Sequence, residues 1–176
     1  MIPILRRWRW SVLTLALVVA VTAAAAPILK RPRLSDEFMA LVNLSRINVE
    51  VSPLPKELIH FALRDADVFE QTKRLLSGAG FEIVDTDQAS RLPRVQITIE
   101  IRSDLRSRNT FAFIMFLDVY QKAHLHRLGV DLVIPTTRII RHGTAGTKLL
   151  KKTVQQELQL LVKQFVAAER QASKNV

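Results

Sequence analysis

Val95-Gln96-Ile97-Thr98-Ile99-Glu100-Ile101-Arg102 alternates apolar and polar side chains without a break. Successive side chains of a strand point to opposite faces, so Val95, Ile97, Ile99 and Ile101 share one face and Gln96, Thr98, Glu100 and Arg102 the other. A strand of this kind packs a core on one side and meets water on the other, the habit of an antiparallel sheet with one covered face. The polar run Ser103 to Asn109 then predicts a hairpin loop, and Phe111 to Leu125 a long partner strand. On that partner, Phe111, Phe113, Met115, Leu117, Val119, Ala123 and Leu125 are assigned to the core face. Its opposite face begins with Ala112, Ile114 and Phe116 before turning polar at Asp118. Ile114 and Phe116 therefore form a candidate docking patch, unless a terminal segment covers them.

Upstream, Ile47 to Val51 alternates in the same way, and Pro53 and Pro55 end the strand. Asp65 is a candidate N-cap for a helix whose apolar positions, Val68, Phe69, Thr72, Leu75, Leu76 and Ala79, recur at three and four; Gly78 and Gly80 stop it. A strand Phe81 to Val84 and a polar turn through Asp85, Asp87 and Ser90 follow. Downstream of a turn at Gly129, Leu132 to Arg141 reads as a strand confined by Pro135 to an edge or a bulge. Gly143 to Lys148 reads as a turn into a long helix from Thr147 to Ala172. Leu150, Val154, Leu158, Leu161, Phe165 and Ala168 form its buried stripe, and Lys151, Lys152, Gln155, Gln159 and Lys163 its wet side. The predicted class is α+β: a mostly antiparallel sheet of about five strands with two main helices on one face, after an N-terminal signal segment.

That segment has the order of an export signal. Arg6, Arg7 and Arg9 precede an apolar core, Val12 to Val21, and small residues close it at Ala23 to Ala26. The expected junction follows Ala24 or Ala25. The alternative is a retained anchor, because Ser11 to Leu29 carries no charge and at ~1.5 Å per residue is long enough to cross a bilayer. The chain divides accordingly into 1–25, signal or anchor; 26–44, linker and short helix; 45–172, one α+β domain; and 173–176, a tail. The expected location is outside the cytoplasm, in the periplasm, with inner-membrane anchoring through residues 11–29 as the alternative.

The 176 residues carry a formal net charge of +10 and no cysteine. Lys122 to Val176 has ten basic residues against three acidic, whereas Ala26 to Gln121 is balanced. A basic C-terminal third suits an anionic lipid surface or an acidic protein, and also an ordinary solvated helix face. Lys148, Lys151, Lys152 and Lys163 are the candidate contact residues on that face. Aromatic residues make up only 6%, without the interleaved platforms that stack bases, so no nucleic-acid partner is expected. Without cysteine there are no disulfides, no thiolate chemistry and no acylated junction.

Catalytic signals are few. Gly143-Thr144-Ala145-Gly146-Thr147-Lys148 lacks P-loop spacing, and no nucleophile elbow, His-Glu-x-x-His run or dinucleotide fingerprint is present. His124 and His126 fall on one side of a strand, but Lys122 and Arg127 flank them and oppose a cation, so no metal and no cofactor is expected. Asp118 is the notable carboxylate, with Arg102 or Arg138 as its expected cross-strand partner. An enzyme built on Asp118, His124 and His126 is the less favoured alternative.

The order of elements, together with Ser52-Pro53-Leu54-Pro55 and the phrase Leu75-Leu76-Ser77-Gly78-Ala79-Gly80-Phe81-Glu82-Ile83-Val84, resembles a widespread group of uncharacterised exported bacterial proteins. More distantly it resembles the small α+β modules of the lipopolysaccharide-assembly lipoprotein, the curli-secretion lipoprotein and the amino-terminal domain of the Tol-system propeller protein. The chain departs from the lipoproteins in lacking their acylated cysteine. The resemblance implies a non-catalytic binding or assembly role in the cell envelope, with an envelope protein or an anionic lipid surface as partner, and it transfers no functional residue. A membrane-anchored scaffold is the other non-enzymatic reading.

Overall fold

In the computed structural model, which describes residues 35–84, 92–103 and 109–174, the alternating strand lies at the centre of one five-stranded sheet. The strands are β1 (Arg46–Val51), β2 (Glu82–Ile83), β3 (Arg94–Ser103), β4 (Thr110–Leu125) and β5 (Val130–Gly146), in the order β2-β1-β3-β4-β5. Val95, Ile97 and Ile99 are buried and Glu100 is exposed, as the alternation requires. Residues 1–34, with the signal segment, and the turn through Asp85, Asp87 and Ser90 lie outside the described residues.

The sheet is mixed rather than mostly antiparallel. β1 runs parallel to both its neighbours, β2 and β3, while β3, β4 and β5 are antiparallel to one another. Parallel neighbours need a crossover rather than a tight turn, and helix α3 (Asp65–Gly78) supplies the one between β1 and β2. A glycine closes that helix: Gly80 takes φ +103°, and the Phe81 N–H donates back to the Leu76 carbonyl. This left-handed cap turns Phe81 into the core, where its ring sits 5.6 Å from that of Phe165. The N-cap is Arg64 rather than Asp65. Asp65 stands one position later and its carboxylate accepts the Leu54 N–H, tying the helix start to the end of β1; Asp67 accepts the Arg64 N–H.

Two short helices complete the domain. α1 (Asp36–Met39) leads into the fully buried Leu41, and α2 (Lys56–His60), which the sequence reading passed over, buries Leu58. The last helix, α4 (Leu150–Lys174), follows a single 3₁₀ turn, Thr147–Leu149. It packs on β4 and β5 while α3 packs on β1 and β2, so both long helices cover one face of the sheet. Its buried stripe is wider than predicted: Val162 and Val166 join Leu150, Val154, Leu158, Leu161 and Phe165, and Ala168 is half-buried. The extra flank meets α3, whose Leu75 and Ala79 share a cleft with Val162 and Val166. Each such apolar side chain, buried in full, contributes about 1.5–3 kcal/mol.

Two further readings are corrected along β5. Gly143 and Gly146 are not a turn into the helix but the last positions of the strand. Gly143 lies directly across from Phe113, and a Cβ there would stand 2.6 Å from the tip of the Phe113 ring. The ring covers the glycine, so any side chain there must push the Phe113 ring aside. At Pro135 the ladder shifts register between Val119 and Tyr120, as expected of a proline on an edge strand, and the Thr136 hydroxyl donates to the Val119 carbonyl. Beyond that bulge, Ala123 and Leu125 are half-exposed rather than core residues. Among the described residues β4 pairs with β5 alone there, and nothing in the α4 layer reaches over them to bury them.

Among the described residues no helix is long and apolar enough to cross a membrane.

Candidate functional site

The helix-free face of the sheet is built from the polar halves of the strands. Arg94 of β3 pairs with Glu50 of β1 at 2.9 Å, and its guanidinium lies 4.7 Å from the Tyr120 ring centre on β4. Divided between a carboxylate and a ring, Arg94 keeps its Nε buried with no hydrogen-bond partner among the described residues. Next to this row, Gln96 donates to the Ser52 hydroxyl, which lies 2.8 Å from that of Thr98.

Asp118, with a side chain only 5% exposed, sits directly between Gln96 and Arg138 in register. Arg138 grips it with both arms of the fork, Nε to Oδ1 at 2.6 Å and Nη2 to Oδ2 at 3.0 Å. The hydrogen bonds to Asp118, and then its charge, hold the Arg138 guanidinium above its ordinary pKa. The same guanidinium lies 5.0 Å from the Phe116 ring centre. Of the two partners expected for Asp118, Arg138 is the one found; Arg102 stands across from Ala112.

Ile114 and Phe116 are half-buried on this face, and Ile140, across from Phe116, is 48% exposed. No described terminal segment lies over them; what partly shelters Phe116 is Arg138. Ile114, Phe116 and Ile140 form a shallow apolar step bordered by the Asp118–Arg138 ion pair. Sequence reasoning missed Ile140. Its signal was available in the alternation of β5, where Arg138, Ile140 and His142 fall on the open side.

The four candidate lysines, Lys148 in the 3₁₀ turn and the others on α4, have different surroundings. Lys148, Lys152 and Lys163 are exposed, while Lys151 donates from Nζ to the Ala62 carbonyl at 2.7 Å. Lys151 and Lys152 border an open groove of about 620 Å³ between α3 and α4, and Asp67 and Glu70 border it as well, so its charge is mixed. Lys163 lies instead on a second cleft with Arg74 and Arg170 above an apolar floor. The four lysines therefore do not converge on one spot.

The residues of the enzymatic alternative are not brought together. His124 is six positions along β4 from Asp118, about 20 Å at ~3.3 Å per residue. Its Nδ1 lies 2.7 Å from Asp131, and its ring packs edge-on against that of His126. Hydrogen bonds from Lys122 and then His124 hold the Asp131 carboxyl below its ordinary pKa. Among the described residues no three metal-ligating side chains gather.

These features define an α+β protein with one mixed sheet and two long helices on a single face, bordered by open grooves. No protein-family model matches the chain, and no curated protein matches it. Among solved structures it is similar to the rare lipoprotein B from Shewanella oneidensis, with 10% identity over 74% of this chain and 97% of that chain and a TM-score of 0.41. It is also similar to a minor lipoprotein from Acinetobacter baumannii, with 11% identity over 76% and 94% of the two chains and a TM-score of 0.39.

Proposed function

We propose that this chain is an exported, non-catalytic binding or assembly protein of the bacterial cell envelope. The observation that carries the reading is the open sheet face. There an apolar step at Ile114, Phe116 and Ile140 adjoins charged groups already committed to one another, Glu50 with Arg94 and Asp118 with Arg138. A surface of this kind docks a partner without having to immobilise those charges, while Glu100 and His142, both across from Ile114, stand exposed beside the step. The leader residues 1–25 support export, and the lysines Lys148, Lys151, Lys152 and Lys163, on and just before α4, are separate candidate contacts for an anionic or acidic counterpart. The domain limits at 45 and 172 and the anchor through residues 11–29 belong to the same proposal.

The test has two arms. Cell fractionation with mass spectrometry of the N-terminus reports export and the junction after Ala24 or Ala25; a cytoplasmic chain that keeps Met1 overturns the reading. Photo-crosslinking from Ile140 and from Lys152 in living cells should capture an envelope component. Adducts confined to cytoplasmic proteins would contradict it.

A further inference from the structure

The outer part of the β4–β5 hairpin is amphipathic in an unusual place. Past the bulge at Pro135, Gln121 pairs with Ile134, Ala123 with Leu132 and Leu125 with Val130, and paired residues share a face. Gln121 donates to the Ala40 carbonyl just after α1, so this is the helix side of the sheet. The ribbon beyond it is apolar on that side: Ala123, Leu125, Val130, Leu132 and Ile134. Val130 is 42%, Leu132 46% and, at the turn, Leu128 58% exposed. The other side carries Lys122, His124, Asp131 and Val133, and Arg127 adjoins Leu128. A two-stranded ribbon with a bare apolar face is marginal in water by itself, and apolar side chains gathered at a projecting tip mark a contact surface.

We infer that this ribbon is a membrane-contact device: Leu128, Val130 and Leu132 enter the headgroup region of an anionic bilayer while Lys122 and Arg127 meet its phosphates. Two observations select a lipid surface over a protein. Leu128, at the turn itself, is 58% exposed against 42% and 46% for Val130 and Leu132 behind it, so the turn meets a plane end-on; Val133 on the other side is 59% exposed. Lys122 and Arg127 outnumber Asp131 at the tip, which complements anionic headgroups. Depth is limited by the backbone. Among the described residues both outer edges of the ribbon carry unpaired N–H and C=O groups, which excludes the hydrocarbon core and confines contact to the interface. The ribbon is a different surface from the open face and the α4 lysines, so this inference extends the proposed function without depending on them.

The absence of cysteine gives a clean test. In the full chain reconstituted into phosphatidylcholine vesicles with or without phosphatidylglycerol, Leu128→Cys carries an environment-sensitive fluorophore, and Gln156→Cys on α4 carries the same dye as reference. The expected result is a blue shift at position 128 and quenching by lipids spin-labelled near the headgroup, both dependent on phosphatidylglycerol, with position 156 remaining water-like. Lys122→Gln with Arg127→Gln should abolish the dependence on anionic lipid. A water-like signal at position 128 on anionic vesicles overturns the inference and leaves the envelope reading standing. A shift that needs no vesicles and grows with protein concentration also overturns it, and assigns the ribbon to a second copy of the chain.

Discussion

The inner and outer halves of the β4–β5 hairpin have the same alternating sequence and opposite fates. From Thr110 to Val119, β4 lies between β3 and β5 with α4 above it, and Met115, Leu117 and Val119 are fully buried. From Gln121 to Leu125 it has one strand neighbour among the described residues, and the matching positions of β5, Val130 and Leu132, are 42% and 46% exposed. Periodicity decides which face a side chain takes. Whether anything covers that face is decided by how far the neighbouring elements extend, and β3 pairs with β4 no further out than Tyr120.

The largest effect expected from this contrast is in stability. Leu117→Ala should cost about 2–5 kcal/mol, the transfer loss plus a cavity that close packing on both sides keeps from collapsing. Leu132→Ala should stay within about 0.5 kcal/mol, because it empties no packed space. Urea unfolding of the two variants measures both. Equal losses would mean that the ribbon is as firmly covered as the core, and the comparison would break.

Gly143→Ala comes next. The added methyl meets the buried Phe113 ring at 2.6 Å, and overpacking of this order costs about 1–3 kcal/mol. Phe113→Leu in the same background should recover part of the loss by withdrawing the ring. No recovery would show that the strain lies in the backbone of β5 and not in the ring contact. On the ribbon Gly129→Ala is a different experiment, since its φ of +65° strains the turn whatever the space around it.

These elements also show what the sequence makes legible. The alternation of Val95 to Ile101 predicted the buried face of β3 because period two is a local property. The direction of β1 was harder, since alternation is identical in parallel and antiparallel pairs. The clue lay in the connection: a strand, the helix Asp65–Gly78 and another strand make the crossover that parallel pairing requires. Val162 and Val166 were missed because α3 packs against the flank of α4, and the partner of a flank is set by tertiary structure. Gly143 read as a turn because its actual cause, an aromatic ring from thirty positions earlier, is visible only once Phe113 is across from it. For the open face, the side taken by Ile114, Phe116 and Asp118 was legible from strand parity, which left Arg102 and Arg138 both open as the partner of Asp118, whereas the ribbon's exposure was not legible.

The ion pair on the open face should matter less than Gly143 and more than Leu132. Arg138→Met strands a carboxylate whose own side chain is almost wholly covered, while Arg138→Lys keeps a charge but loses the two-pronged grip. The expected order of stability is wild type, then Lys, then Met, with Asp118→Asn combined with Arg138→Met recovering part of the loss. A thermal-melt series reads that order. If the Met variant equals wild type, Asp118 is hydrated in solution and the face is softer than its geometry indicates.

The smallest effect belongs to the polar side of the ribbon, and pH isolates it. Asp131 accepts hydrogen bonds from Lys122 at 2.8 Å and from His124 at 2.7 Å, which hold its carboxyl below the ordinary value. A lowered folded-state pKa means that the native ribbon binds this proton less readily than the unfolded chain does. The stabilisation is therefore complete above the unfolded value, about 4, and is lost as pH falls through the folded one. All three groups are largely solvated, so the gain is slight and salt weakens it further. In an NMR titration the amides of Leu125 and Val130 should shift with a midpoint below that of a free aspartate, while those of Leu117 and Ile139 stay still over the same range. If the core amides move with the ribbon, the two halves are one cooperative unit. If the Asp131 midpoint sits at the ordinary value, the polar side of the ribbon is open to solvent without its cross-strand ties.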